Sequence, residues 1–134
     1  MTLSHIPKRT TIPRDTGLTM MMDKGLSTRQ MEDFLSTSAS YTDIIKFGFG
    51  TSLVSNNIQE KVSLMKQIGV KPYFGGTMFE LYYARNQESE YFKIVDDFGL
   101  ETIEISDGSI TLEHEEKCEL IYKYSKNYTC LLYT

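Results

Sequence analysis

The chain has 134 residues, 40% hydrophobic and 24% charged, with 14 Lys+Arg against 18 Asp+Glu for a net charge of -4. That length buries the core of one ordinary domain, and the composition excludes general disorder and low-complexity or collagen-like chains. No apolar run of about 18 residues is available to span a membrane, no secretory signal is visible, and the acidic balance gives no footprint for nucleic acid. Cys118 and Cys130 form neither a disulfide framework nor a metal spacing, so reduced thiols in a cytoplasmic protein are expected.

Residues 1–16 hold two of the three prolines and little periodicity. They read as an extended lead-in that crosses the mouth or the bottom of the domain over 17–134. Residues 18–22 then form a short apolar run of buried-strand type, closed by Asp23-Lys24-Gly25. Ser27 with Gln30 is a capping-box pattern, and Met31, Phe34 and Leu35 follow at helical spacing. The same order repeats. A strand at 43–47 ends in Gly48-Phe49-Gly50-Thr51-Ser52, and a helix from about Asn57 places Ile58, Val62, Met65 and Ile68 on one stripe before Gly69. A strand at 70–74 ends in Gly75-Gly76-Thr77, where Thr77 and Glu80 resemble a second capping box. Helical spacing continues through Tyr91, Phe92, Val95 and Phe98 to Gly99. A strand at 101–105 ends in Ser106-Asp107-Gly108-Ser109. Its helix, 111–126, is expected to turn Cys118, Ile121 and Tyr124 inward, and 129–133 begins a fifth strand.

Strand starts recur every 25 to 31 residues. Strands and helices alternating at that period predict βα units with right-handed crossovers and a parallel sheet. An open doubly wound sheet and the (β/α)8 barrel both use such units. No Gly-x-Gly-x-x-Gly follows the first strand, so a dinucleotide site has no support. Eight units would need roughly 220 residues or more, and this chain carries four and a stub.

Ligands of parallel α/β folds meet the C-terminal strand ends. The residues there mix charge, hydroxyls and glycine: Asp23 and Lys24; Lys46, Gly48, Thr51 and Ser52; Gly75, Gly76, Thr77 and Glu80; Glu104, Ser106, Asp107 and Ser109. Two lysines and up to four carboxylates on one rim suit an anionic substrate bridged by a divalent cation. Strand alternation sets Lys46 with Ile44, opposite Ile45 and Phe47, and sets Glu104 with Thr102 and Ser106, opposite Ile103 and Ile105. Lys46 and Glu104 are therefore the most pointed candidates, because a charge inside an apolar strand is costly unless it binds or pairs. Asp23, Lys24 and Asp107 lie in turns, where side-chain direction is not readable. Asp107-Gly108 also suits an ordinary turn, and Glu80 suits the reciprocal half of the Thr77 cap. His114, among Glu113, Glu115 and Glu116, reads as part of a solvated first helical turn.

The segments 17–27, 43–52, 73–80 and 104–110, in this order and spacing, are similar to the strand-end signatures of phosphosulfolactate synthases. The resemblance covers about 17–126. It implies a (β/α)8 TIM barrel, of which this chain holds the first four βα units and the start of a fifth strand. It also implies a lyase-class enzyme that adds sulfite to phosphoenolpyruvate with Mg²⁺, giving (2R)-phospho-3-sulfolactate in sulfolactate or coenzyme M biosynthesis. On that resemblance Lys24 and Lys46 hold anionic groups, Glu104 acts in catalysis beside Lys46 and Lys24, and Glu80, Glu104, Asp107 and Asp23 are metal-site candidates. Gly48, Thr51, Ser52, Gly75, Gly76, Thr77, Ser106 and Ser109 become substrate-binding candidates.

The resemblance weakens at the C-terminus. The family continues into a strand end with Glu and a following lysine, the proposed proton donor, where this chain reads Tyr128-Thr129-Cys130-Leu131-Leu132-Tyr133-Thr134. The expectation is thus an N-terminal half, with open parallel edges that favour a homo-oligomer. Two readings of another class stand beside the enzyme: an inactive truncated fragment that serves at most in assembly or binding, and a complete four-stranded α/β binding module.

Overall fold

A computed structural model describes residues 3–132. Among them, β1 (Met20–Asp23), β2 (Ile44–Phe47) and β3 (Lys71–Phe74) form one parallel ladder. The strands β4 (Thr102–Ile105) and β5 (Thr129–Leu132) form a second. β4 lies beside β3 without a ladder between them. The helices α1 (Thr28–Ser38), α2 (Ile58–Gln67), α3 (Gly76–Tyr83), α4 (Glu88–Asp97) and α5 (His114–Tyr124) fall between the strands, with α3 and α4 both in the β3–β4 connection. The alternating parallel architecture read from the sequence is the one observed. Tyr133, the last residue of the expected fifth strand, lies outside the described residues.

Helix α1 starts where its sequence says. The Ser27 side chain accepts from the Gln30 amide at 3.2 Å, and the Gln30 side chain accepts from the Ser27 amide at 2.9 Å. The second capping box does not form. Helix α3 begins at Gly76 with Gly75 as N-cap and no side-chain cap, so Thr77 lies inside the first turn and Glu80 is released for other partners. Two stripe expectations also fail. Ile68 is exposed beyond the end of α2, and Cys118 is exposed on α5, where Lys117 and Leu120 face inward instead.

One face of the sheet packs on the helices. Ile45, Phe47, Phe74, Ile103 and Ile105 are buried there with Met31, Val62, Met65, Phe79, Tyr91 and Val95. Burying side chains of this size contributes about 1.5–3 kcal/mol each before conformational entropy is charged against it. The opposite face follows the register. Met22 pairs with Lys46, Lys46 with Tyr73, and Glu104 with Leu131, which sets a mixed polar row across the strands. The lead-in crosses the bottom of the sheet. Arg14 reaches Asp43, at the start of β2, at 2.6 Å and Arg9 reaches it at 3.4 Å, while the Thr19 amide donates to it at 2.7 Å.

Candidate functional site

A cleft of about 390 Å³ opens at the C-terminal strand ends, lined by Met22, Lys46, Phe49, Thr77, Glu80, Glu104, Ser106, Gly108 and Ser109. A larger groove of about 650 Å³ runs along α3 and α4 and is lined by Arg85, Glu90, Lys93 and Asp97 among others. Its charges are those of a solvated helix surface. The strand-end cleft is the stronger candidate because charges from separate strands, the half-buried Lys46 and the buried Glu104, converge in it.

Lys46 and Glu104 meet across the cleft floor. Lys46 Nζ donates to Glu104 Oε1 at 2.8 Å and lies 2.8 Å from Oε2 as well. The second contact is an ion pair without hydrogen-bond geometry, so Oε2 is buried with no hydrogen-bond partner. Alternation predicted this face for both residues, and their meeting bridges 58 positions of sequence. Tyr73, between them in strand order, was not singled out from the sequence. Burial, and then the adjacent Glu104 carboxylate, push its phenol far above the ordinary tyrosine value. The signal was available: Tyr73 sits opposite Lys46 in register and shares its face.

The Gly75-Gly76 pair makes this packing possible. A Cβ at Gly75 would come within 2.6 Å of Lys46 Cε, and one at Gly76 would collide with the Ser106 side chain. The Gly75 amide donates to the Phe47 carbonyl at 3.0 Å, so Gly75 makes room for the Lys46 side chain rather than offering a free amide. Gly48 likewise packs against Met22. Thr51 donates to the Gly48 carbonyl at 2.8 Å and Ser52 to Met78 Sδ at 3.0 Å, so both hydroxyls stabilise the β2 loop outside the cleft lining.

The four candidate carboxylates part company. Glu80 accepts from the Ser106 hydroxyl, the Ser109 hydroxyl, and the Gly108 and Ser109 amides, the last two at 2.9 Å. Burial alone would raise its pKa, but those donors outweigh burial and hold the carboxyl below the ordinary glutamate value. Asp23 is fully buried and turned away toward α2. Its Oδ1 accepts from the Gly25 and Leu26 amides, at 2.8 Å and 2.6 Å, and its Oδ2 meets Lys61 Nζ at 2.6 Å. Asp107 turns toward α5, where Lys117 at 2.7 Å holds its carboxyl below the ordinary aspartate value. At the cleft, Glu104 Oε2 is buried outside any hydrogen bond, with the Lys46 ammonium 2.8 Å away. Lys24 is exposed at the edge, its ammonium 5.6 Å from the centroid of the Phe49 ring. Among the described residues no group of three His, Cys, Asp or Glu converges as a metal cage.

The profile of the (2R)-phospho-3-sulfolactate synthase family matches residues 7–132. The chain belongs to this family. It is 41% identical over 117 residues to the phosphosulfolactate synthase of Methanothermobacter thermautotrophicus, covering 86% of this chain and 45% of that protein. To the phosphosulfolactate synthase of Bacillus subtilis it is 35% identical over 127 residues, 95% of this chain and 50% of that one. To that of Methanocaldococcus jannaschii it is 39% identical over 113 residues, covering 83% and 45%. The chain thus spans about half the length of the curated phosphosulfolactate synthases it matches. No described helix is long and apolar enough to cross a membrane.

Proposed function

We propose that this chain is the N-terminal half of a phosphosulfolactate synthase (β/α)8 barrel, and that its cleft serves the addition of sulfite to phosphoenolpyruvate. The observation that carries the reading is the Lys46–Glu104 pair at the strand ends, with Glu104 Oε2 buried and not hydrogen-bonded. A buried polar atom without a partner is expensive unless something binds it.

Lys46 holds an anionic group of phosphoenolpyruvate over the cleft floor, and Lys24 meets a second from the edge. Thr77, Ser106 and Ser109 also line the cleft. Sulfite attacks the methylene carbon, and negative charge develops on the substrate carboxylate as an enolate. Lys46 stabilises that charge more in the transition state than in the ground state, which is where binding energy accelerates a reaction. The proton for the neighbouring carbon is not assigned to Lys24 or Lys46, both of which hold anions in this reading.

Mg²⁺ fits these residues in one way. Hard cations of this kind take one or two carboxylates plus substrate oxygens. Glu104 Oε2 would hold the ion, whereas the oxygens of Glu80 and Asp23 are already engaged and Asp107 is paired with Lys117. The ion would supply Lewis-acid neutralisation of the enolate charge. The rest of its coordination would fall to substrate oxygens.

The test is sulfite-dependent loss of phosphoenolpyruvate by the purified chain with Mg²⁺, beside Lys46→Met and Glu104→Gln. Turnover that both substitutions abolish supports the reading, and turnover that survives them sinks it. Absence of turnover in the unaltered chain favours the second reading, an inactive half that acts in assembly. The specific observation behind that reading is that β1 and β5 each have a ladder partner on one side alone. Self-association through these edges in the cytoplasm is the setting we propose for either case.

A further inference from the structure

Lys61 lies on α2 with 1% exposure, beneath the strand-end rim and outside the cleft lining. All three donors of its ammonium have a destination. One meets Asp23 Oδ2 at 2.6 Å, one meets the Leu26 carbonyl at 2.8 Å, and the ring of Phe47 stands 5.1 Å away by its centroid. Asp23 completes the device by accepting the Gly25 and Leu26 amides. The turn from Asp23 to Leu26 is therefore tied at both ends to one buried lysine. Lys24 is the only charged side chain of that turn left at the surface, beside the cleft.

Helix packing alone does not ask for this. An apolar residue at 61 would fill the α2 face as well, and a buried ion pair is weak evidence for stability by itself. What the pair adds is a fixed path for the backbone that carries Lys24. We propose that Lys61 is a positioning residue, which acts through Asp23 and the Leu26 carbonyl to preorganise Lys24 for an anion at the rim. This rests on the reading of Lys24 as an anion-binding residue. Preorganisation raises affinity by removing an ordering cost from the binding step. An unclamped turn would leave Lys24 chemically intact and weaker.

The test uses the full chain, inorganic phosphate as the probe, and amide shifts to follow the titration. Lys24→Ala is expected to weaken phosphate binding strongly, to a residual level that can still be titrated. If it leaves phosphate binding unchanged, the anion-site reading falls, and the proposal with it. With that reading standing, Lys61→Met is expected to raise the phosphate dissociation constant about ten-fold. It should have no further effect in a Lys24→Ala background, and amide exchange at Gly25 and Leu26 should quicken while Ile45 stays protected. An equal effect on residual phosphate binding in both backgrounds would mark a merely structural role and overturn the proposal. Because Lys61→Met leaves Asp23 buried without its counter-charge, the double variant Asp23→Asn with Lys61→Met is measured beside it. A folded double variant with native phosphate affinity would overturn the proposal; weakened affinity with a protected core supports it.

Discussion

The two ends of the sheet each bury carboxylates, and they treat them in opposite ways. At the bottom, Asp43 takes Arg14, Arg9 and the Thr19 amide together, so its charge is spent inside the molecule. At the rim, Glu104 meets Lys46 and keeps Oε2 without a hydrogen bond. Rim carboxylates that turn away from the cleft resemble the bottom: Asp23 is closed by Lys61 and Asp107 by Lys117. Completed charge networks fix the backbone, and the incomplete one lies in the cleft proposed to take the substrate. Proximity to the strand ends therefore does not by itself leave a buried carboxylate oxygen outside the hydrogen-bond network; at the cleft, Glu104 Oε2 is such an oxygen.

The sharpest way to break this contrast is Lys61→Met. It leaves a fully buried Asp23 unpaired and should cost about 3–5 kcal/mol in urea unfolding. A loss below 1 kcal/mol would show that the networks called complete are not holding the fold.

Asp43→Asn comes next, at about 1.5–3 kcal/mol, because it weakens charge-assisted bonds to the lead-in. The same site gives a pH signature. Burial would raise the Asp43 pKa, but the Thr19 amide and Arg14 outweigh burial and hold it below the ordinary value, and Glu80 is shifted in the same direction. Depressed folded values mean stability is fully present above the unfolded pKa values of about 3.9 and 4.3, and is lost as pH falls through the folded ones. Acid titration of the far-ultraviolet circular dichroism should show a transition below about pH 4 whose pH dependence is reduced in Asp43→Asn.

Glu104→Gln should shift the balance. Gln keeps an acceptor for Lys46 Nζ but loses the charge of the ion pair, so the substitution is expected to cost about 1 kcal/mol while Mg²⁺-dependent turnover or Mg²⁺ binding by calorimetry is lost. A large stability loss would place Glu104 with the bottom carboxylates instead. Smallest of all is Lys24→Ala, an exposed position whose effect on thermal unfolding should stay within about 0.5 kcal/mol as phosphate binding weakens.

Much of the architecture was legible because it rests on local rules. The Ser27–Gln30 cap needs only two side chains three residues apart, and period-2 alternation assigned Lys46 and Glu104 to one face before any contact was known. The Thr77–Glu80 pattern looked equally good and failed. Glu80 had a better offer from two hydroxyls and two amides of the β4 loop, 26 to 29 positions away. Lys61 was missed for a related reason. It stands at i+3 from Ile58 on the stripe with Val62 and Met65, and a lysine there reads as an edge residue unless its counter-charge is in view.

The sequence by itself determined the order of strands and helices, the positions of the strand ends, the family, and the face on which the residues of β2 and β4 lie. Those follow from backbone periodicity and short-range capping, which act within a few residues. The tertiary structure decided which charges close on one another. Asp23 and Lys61 are 38 positions apart, and Lys46 and Glu104 are 58 apart. A side chain in a turn has no direction until the packed sheet and helices give it a partner, and that choice separated the one open carboxylate from the three that serve the fold.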